Sequence, residues 1–136
     1  MTINIGLFFL RVVSSLMLLS HGIAKIGMLA SGDASDFLNP IGIGSTFSLI
    51  LSIFAEVGCS ILVMIGLKPR LFALPIIINM WVAGFLGHIG QPYSSKEAAL
   101  LYLVIYISIA LLGGGKYTID YYLSRNKNRI KSKKEI

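Results

Sequence analysis

"IGLFFLRVVSSLMLLSHGIAKIGMLA", residues 5–30, is an apolar run carrying three basic side chains, Arg11, His21 and Lys25. At ~1.5 Å of helical rise per residue, such a run is long enough to cross the ~30 Å hydrocarbon core of a bilayer. A charge at that depth costs several kcal/mol unless it is paired, reaches the interface or serves a function. At 100° per residue Arg11, Leu18, His21 and Lys25 fall within an arc of about 80°, so this helix has one polar stripe, expected to face inward.

The rest of the chain matches this reading. It has 136 residues, of which 55% are hydrophobic and 13% charged. Mean hydropathy is +0.79. A soluble domain of this size cannot bury so much apolar surface, and the charged share is about half of what soluble domains carry. Four apolar spans are expected, at about 4–28, 46–67, 71–90 and 97–114. "LKPRL" separates the second from the third, because Pro69 cannot continue a helix. "GHIGQPYSSKE" separates the third from the fourth, and "GGGK" ends the fourth. In lipid every backbone polar group needs an internal partner, so each span is expected to be helical. The fold class is all-α: a bundle of four transmembrane helices forming one domain over 1–115, followed by a basic tail over 116–136. The first span lacks a basic start, since the first ten residues hold no Lys or Arg. It is therefore read as a retained helix and not as a cleaved signal peptide.

Charge gives the direction. Net charge is +6, and seven of the twelve Lys and Arg lie in residues 116–136. Lys68 and Arg70 occupy the turn between the second and third spans. The positive-inside rule places that turn, the tail and both termini in the cytoplasm, N-in and C-in. The other side receives Asp33 and Asp36. A basic tail beside a membrane points to anionic lipid headgroups and not to nucleic acid. Thr118 is a candidate N-cap for a short interfacial helix, with disorder expected beyond Asn128. In the 29–45 connection, Phe37 and Leu38 are read either as dipping into the outer leaflet or covering the bundle mouth, or as part of a plain surface loop.

Depth counted from the expected helix starts brings His21 and His88 to the same level, ~25 Å from the cytoplasmic side. Lys25 stands one turn above His21, and Glu97 opens the fourth span from the same side. His21, Lys25, His88 and Glu97 are expected to converge on one outer-leaflet pocket, with Trp81 packing the core or stacking on a planar ligand. The alternative for Lys25 is to snorkel to the headgroups. Lower down, Arg11 and Glu56 are expected to form an intramembrane ion pair, either as a register clamp or as part of a site. Asn79, four residues after Pro75, is expected to satisfy backbone groups freed by the proline. Cys59 is the only cysteine, which excludes an intrachain disulfide or CxxC redox pair and leaves it as a packing residue. No metal-ligand set is read from the sequence.

"LRVVSSLMLLSHGIAKI", "AEVGCSILVMIGLKPR", "MWVAGFLGH" and "KEAALLYLVIYISIALLGGGKYTID" together resemble the DoxX family of small bacterial membrane proteins. The shared positions are Arg11, His21, Gly22, Lys25, Glu56, Gly58, Gly66, Arg70, His88, Glu97, Gly113, Gly115 and Asp120. Cys59 and Gly114 depart from the family pattern, which has Gly and Pro there. The resemblance implies a four-helix membrane fold in the bacterial cytoplasmic (inner) membrane. It also implies association with respiratory or redox complexes, including quinol oxidation, thiosulfate:quinone oxidoreduction and oxidative-stress complexes with soluble partners.

The residues support two readings from different classes. The first is a quinone- or quinol-handling subunit: His21 and His88 exchange protons with the head, Lys25 supplies charge and Glu97 connects to the outer surface. The second is a non-catalytic scaffold whose tail and "LKPRL" turn hold a soluble cytoplasmic partner or other subunits. Haem ligation by His21 and His88 is disfavoured by the shallow position and the neighbouring Lys25. A small-solute transporter and a homo-oligomer are both compatible with the sequence.

Overall fold

The computed structural model describes residues 1–134. Among these described residues five helices form: α1 Thr2–Ser31, α2 Ser45–Ile65, α3 Pro69–Gly87, α4 Tyr93–Leu112 and α5 Ile119–Lys134. The first four are long and apolar enough to cross a membrane. A 3₁₀ turn, Asp33–Asp36, opens the α1–α2 connection. The end of the bundle bearing this connection is the loop end; the opposite end, with the α2–α3 turn and α5, is the tail end.

The outer surface of the bundle is apolar, unlike that of a water-soluble one, and a few polar side chains are buried beside an apolar core. Phe9, Leu16, Met17, Phe47, Ile78, Leu101, Val104 and Leu111 are exposed, whereas Arg11, Ser14, Ser15, Ser52, Glu56 and Ser60 are buried. Apolar side chains meet the lipid, and polar ones find each other inside. The core is a cluster of Leu18, Ala55, Cys59, Val63, Ala73, Ile76, Met80, Tyr102, Tyr106 and Ile109. Tyr106 and Ser15 share a hydrogen bond of 3.1 Å across α1 and α4, so the fully buried Tyr106 phenol is not left unpaired.

Small residues set how closely the helices approach. A Cβ on Gly22 would lie 2.5 Å from Val57 Cγ2 and 3.1 Å from Glu56 Cβ, so α1 and α2 touch there backbone to side chain. That contact fixes the register of α1: Gly22 stands level with Glu56. Gly66 ends α2 with φ +80°, and its missing side chain leaves room for Thr118. Two wide π-helical turns interrupt the bundle, Phe54–Cys59 in α2 and Val82–Gly87 in α3. The first carries Glu56 and the second ends at His88.

Some boundaries move from the expected ones. α4 begins at Tyr93, a turn before the expected 97, because Pro92 is an extended N-cap whose carbonyl accepts Ser95 N–H. α5 continues past Asn128, where disorder was expected, through Lys134. No Gly or Pro interrupts it after Thr118, whose Oγ1 caps the Tyr121 N–H at 3.2 Å. Glu135 and Ile136 lie outside the described residues.

Candidate functional site

Lys25 reaches from α1 to Glu56 in α2, Nζ to Oε1, at 2.5 Å. Helical Cβ atoms point toward the N-terminus of their own helix. Lys25 lies one turn nearer the loop end than Gly22, and its side chain runs back toward the tail end. α2 runs the other way, so the Glu56 side chain points toward the loop end. The two therefore meet. Lys25 Nζ also donates to Ser52 Oγ at 2.7 Å, Ser52 Oγ donates to Glu56 Oε1 at 3.3 Å, and Asn79 Nδ2 in α3 donates to the same oxygen at 2.9 Å. Glu56 is 2% exposed. Its other oxygen, Oε2, is buried and has no hydrogen-bond partner among the described residues. Three donors from three helices thus converge on one carboxylate oxygen.

This cluster lies behind a cavity of about 500 Å³ between α2, α3 and the α1–α2 connection. Its walls are mainly apolar, from Phe37, Leu38, Ile41 and Ile43 of the connection to Leu51, Phe54, Pro75 and Ile78 of the helices. Leu51, Phe54 and Ile78 are exposed, so the cavity opens on the apolar side of the bundle. Its polar lining is Lys25, Ser48, Ser52, Asn79 and His88. Ser48 Oγ is buried without a partner among the described residues. His88 Nδ1 lies 2.6 Å from the Ala83 carbonyl oxygen. A carbonyl only accepts, so Nδ1 carries the hydrogen, and Nε2 of the neutral ring is an acceptor. The Phe37 ring stands 5.5 Å from Lys25 Nζ and covers the ammonium from the loop end. Phe37 and Leu38 thus wall the cavity instead of forming a plain surface loop.

The DoxX family model matches residues 6–89, more than half of the chain. The chain belongs to the DoxX family. Comparison with curated proteins and with solved structures gives no match. The matched stretch contains Lys25, Ser48, Ser52, Glu56, Asn79 and His88, every polar group of the cluster and cavity just described, together with Arg11 and His21. Glu97 and Asp120 lie beyond it.

Within this DoxX chain the expected four-residue pocket divides. Lys25 and His88 share the cavity, but His21 and Glu97 do not line it. His21 sits on the α1–α4 side, edge-on to Tyr102 with ring centres 5.9 Å apart. There it lines a separate apolar groove of about 320 Å³ with Phe9, Met17 and Leu101. The two grooves share no residue, so the histidines line separate sites and do not converge as a pair of axial ligands. Glu97 is exposed in the second turn of α4. Trp81 is 49% exposed and packs on Phe85 at 5.7 Å, at the lipid-facing surface and outside the cavity. Among the described residues no group of three or more His, Cys, Asp or Glu is placed to hold a metal ion.

The expected Arg11–Glu56 pair is also replaced. Gly22 fixes the register, and Arg11 is eleven residues earlier, ~16 Å nearer the tail end. Arg11 is 1% exposed and donates to three carbonyls: Met64 O at 3.1 Å, Gly114 O at 2.8 Å and Tyr117 O at 2.6 Å. It ties the end of α2 to the glycine turn after α4. Its role is to close the tail end of the bundle. Asn79, expected to satisfy freed backbone, holds Glu56 instead. Sequence reasoning also missed Ser52 and Ser48 as cavity groups, although their four-residue spacing along one ridge with Glu56 was visible.

Proposed function

We propose that this protein binds the head of a quinone or quinol in the cavity between α2 and α3. The observation that carries the reading is an apolar cavity, open on the lipid-facing side, whose polar lining is tied to a buried carboxylate. A quinone is an apolar ring and tail with two oxygens that accept hydrogen bonds, or donate them once reduced. Lys25 and Asn79 offer N–H donors, His88 Nε2 offers an acceptor, and Ser48 offers a hydroxyl that does either. The unpartnered Ser48 hydroxyl supports the fit, because a buried polar atom is rarely left unpaired. When bound, a quinone supplies two-electron, two-proton redox chemistry. The protein's part is to hold and orient the head, keep water away behind Phe37 and Leu38, and keep Lys25 compensated by Glu56.

The same proposal includes the setting. The protein lies in the bacterial cytoplasmic membrane with both termini inside, and the cavity belongs to the outer leaflet. The basic turn and tail support that direction. It works beside partner subunits of a redox complex. A scaffold role is the second reading, favoured by the exposed basic helix α5, which lies outside the bundle core.

The test is quinone binding to purified protein, read as a redox-dependent ultraviolet difference spectrum with a short-chain quinone. Saturable binding lost in Ser48→Ala/His88→Ala and kept in His21→Ala supports the cavity. Equal binding by all three proteins refutes this cavity as the site, and binding by none favours the scaffold reading.

A further inference from the structure

A second concave site lies at the tail end. The α2–α3 turn, the glycine run after α4 and the first turns of α5 enclose a cleft of about 540 Å³. Lys68 and Arg70 line it, and neither forms an ion pair among the described residues. The acidic group present is Asp120, whose Oδ2 is engaged by the backbone N–H of Lys68 at 2.7 Å. The cleft therefore keeps two cations against one occupied carboxylate. Thr118 and Ser124 add hydroxyls. Pro69–Gly87 begins here, so the positive end of the α3 dipole faces the cleft, although Pro69 has no N–H and those of Lys68 and Leu71 are already engaged. The Arg70 guanidinium passes over Gly113, where an added Cβ would lie 3.0 Å from Nε.

The apolar part of the lining decides what kind of anion fits. Leu71 and Leu112 also line the cleft, and both are exposed. They are the first and last apolar residues of adjacent spans, at the level where hydrocarbon gives way to headgroups. A free phosphate has no use for that surface, whereas a lipid has its phosphate and acyl chains at this spacing. We infer that the cleft binds the headgroup phosphate of an anionic phospholipid between Lys68 and Arg70, with its acyl chains over Leu71 and Leu112. Basic pockets between membrane helices on the cytoplasmic side suit such headgroups. The site is independent of the quinone cavity at the other end of the bundle.

Lys68 makes a clean test possible. Its φ is +41°, a left-handed conformation that glycine adopts without strain. Lys68→Gly therefore removes the charge while suiting the backbone. The experiment is native mass spectrometry of the full chain, released from detergent with phosphatidylglycerol, phosphatidylcholine or inorganic phosphate. Each cation near a lipid surface is worth ~1 kcal/mol, about fivefold in affinity. Lys68→Gly is expected to weaken phosphatidylglycerol binding about fivefold, and Lys68→Gly/Arg70→Gln about thirtyfold, with phosphatidylcholine unchanged. A control with Arg125, Lys127 and Arg129 changed to Gln should lose less than the single cleft variant. The assignment is overturned if the tail control loses as much as the cleft variants, if phosphatidylcholine binds as well, or if inorganic phosphate competes at equal concentration. If the double variant does not fold, Lys68→Gly alone carries the comparison.

Discussion

Removing Lys25 leaves Glu56 in the bundle with no counter-charge. The carboxylate is 2% exposed, and its Oε1 loses the contact at 2.5 Å while Oε2 has no partner among the described residues to compensate. Breaking a buried pair by deleting one member costs about 3–5 kcal/mol. Ser52 and Asn79 still donate to Oε1, which places Lys25→Met near ~3 kcal/mol. Glu56→Gln is milder, about 1–2 kcal/mol, because the Lys25 side chain is 25% exposed and keeps Ser52. The double variant Lys25→Met/Glu56→Gln should then cost less than the sum, by at least ~1 kcal/mol, since neither charge is left alone. A parallel cycle with Arg11→Leu and Glu56→Gln should be additive within ~0.5 kcal/mol, because Arg11 binds carbonyls at the tail end. Reversible unfolding in bicelles, titrated with a denaturing detergent, gives both cycles. Additivity of Lys25 with Glu56, or coupling of Arg11 with Glu56, would refute this assignment of the pair.

Gly22→Ala should destabilise by about 1–3 kcal/mol, because its methyl would meet Val57 Cγ2 at 2.5 Å. Gly27→Ala on the same helix has open space and should be neutral or stabilising by up to ~1 kcal/mol; the same unfolding assay compares them. Arg11→Leu should cost at least ~3 kcal/mol through three carbonyls left without a donor. Arg11→Lys should recover only part of that loss, since an ammonium lacks the fork that reaches all three. For orientation, Asp33→Cys should react with an impermeant maleimide in intact cells and Ser124→Cys should not, Cys59 being buried and silent.

The number of helices and their rough limits were readable because lipid imposes a simple demand: long apolar runs and internally paired backbone. The polar residues that matter were also visible one by one. Their pairing was not, because it depends on how one helix slides along the next. Depths counted from residues 4 and 67 put Gly22 ~10 Å above Glu56, while the Gly22–Val57 contact puts them level. That slide of about two turns exchanges Arg11 for Lys25 as the partner of Glu56. α1 is 30 residues long and overhangs the tail end, which no hydropathy window resolves. The π-helical turns are a second hidden term. Each adds a residue to a turn and rotates the rest of its helix, so His88 and His21 reach different grooves despite similar counted depth. Trp81 went astray for the same kind of reason: its face depends on the rotation of α3, and it meets lipid instead of the ring of a ligand.

Quinone binding between α2 and α3 is best decided by photolabelling in proteoliposomes, using a quinone analogue with a photoreactive group on its ring and mapping by peptide mass spectrometry. A head seated in that cavity gives adducts within residues 48–55 and 78–88, competed by unlabelled quinone and lost in Ser48→Ala/His88→Ala. Competed adducts around His21, Met17 and Tyr102, with none on α3, would place the ligand in the opposite groove and contradict the proposal.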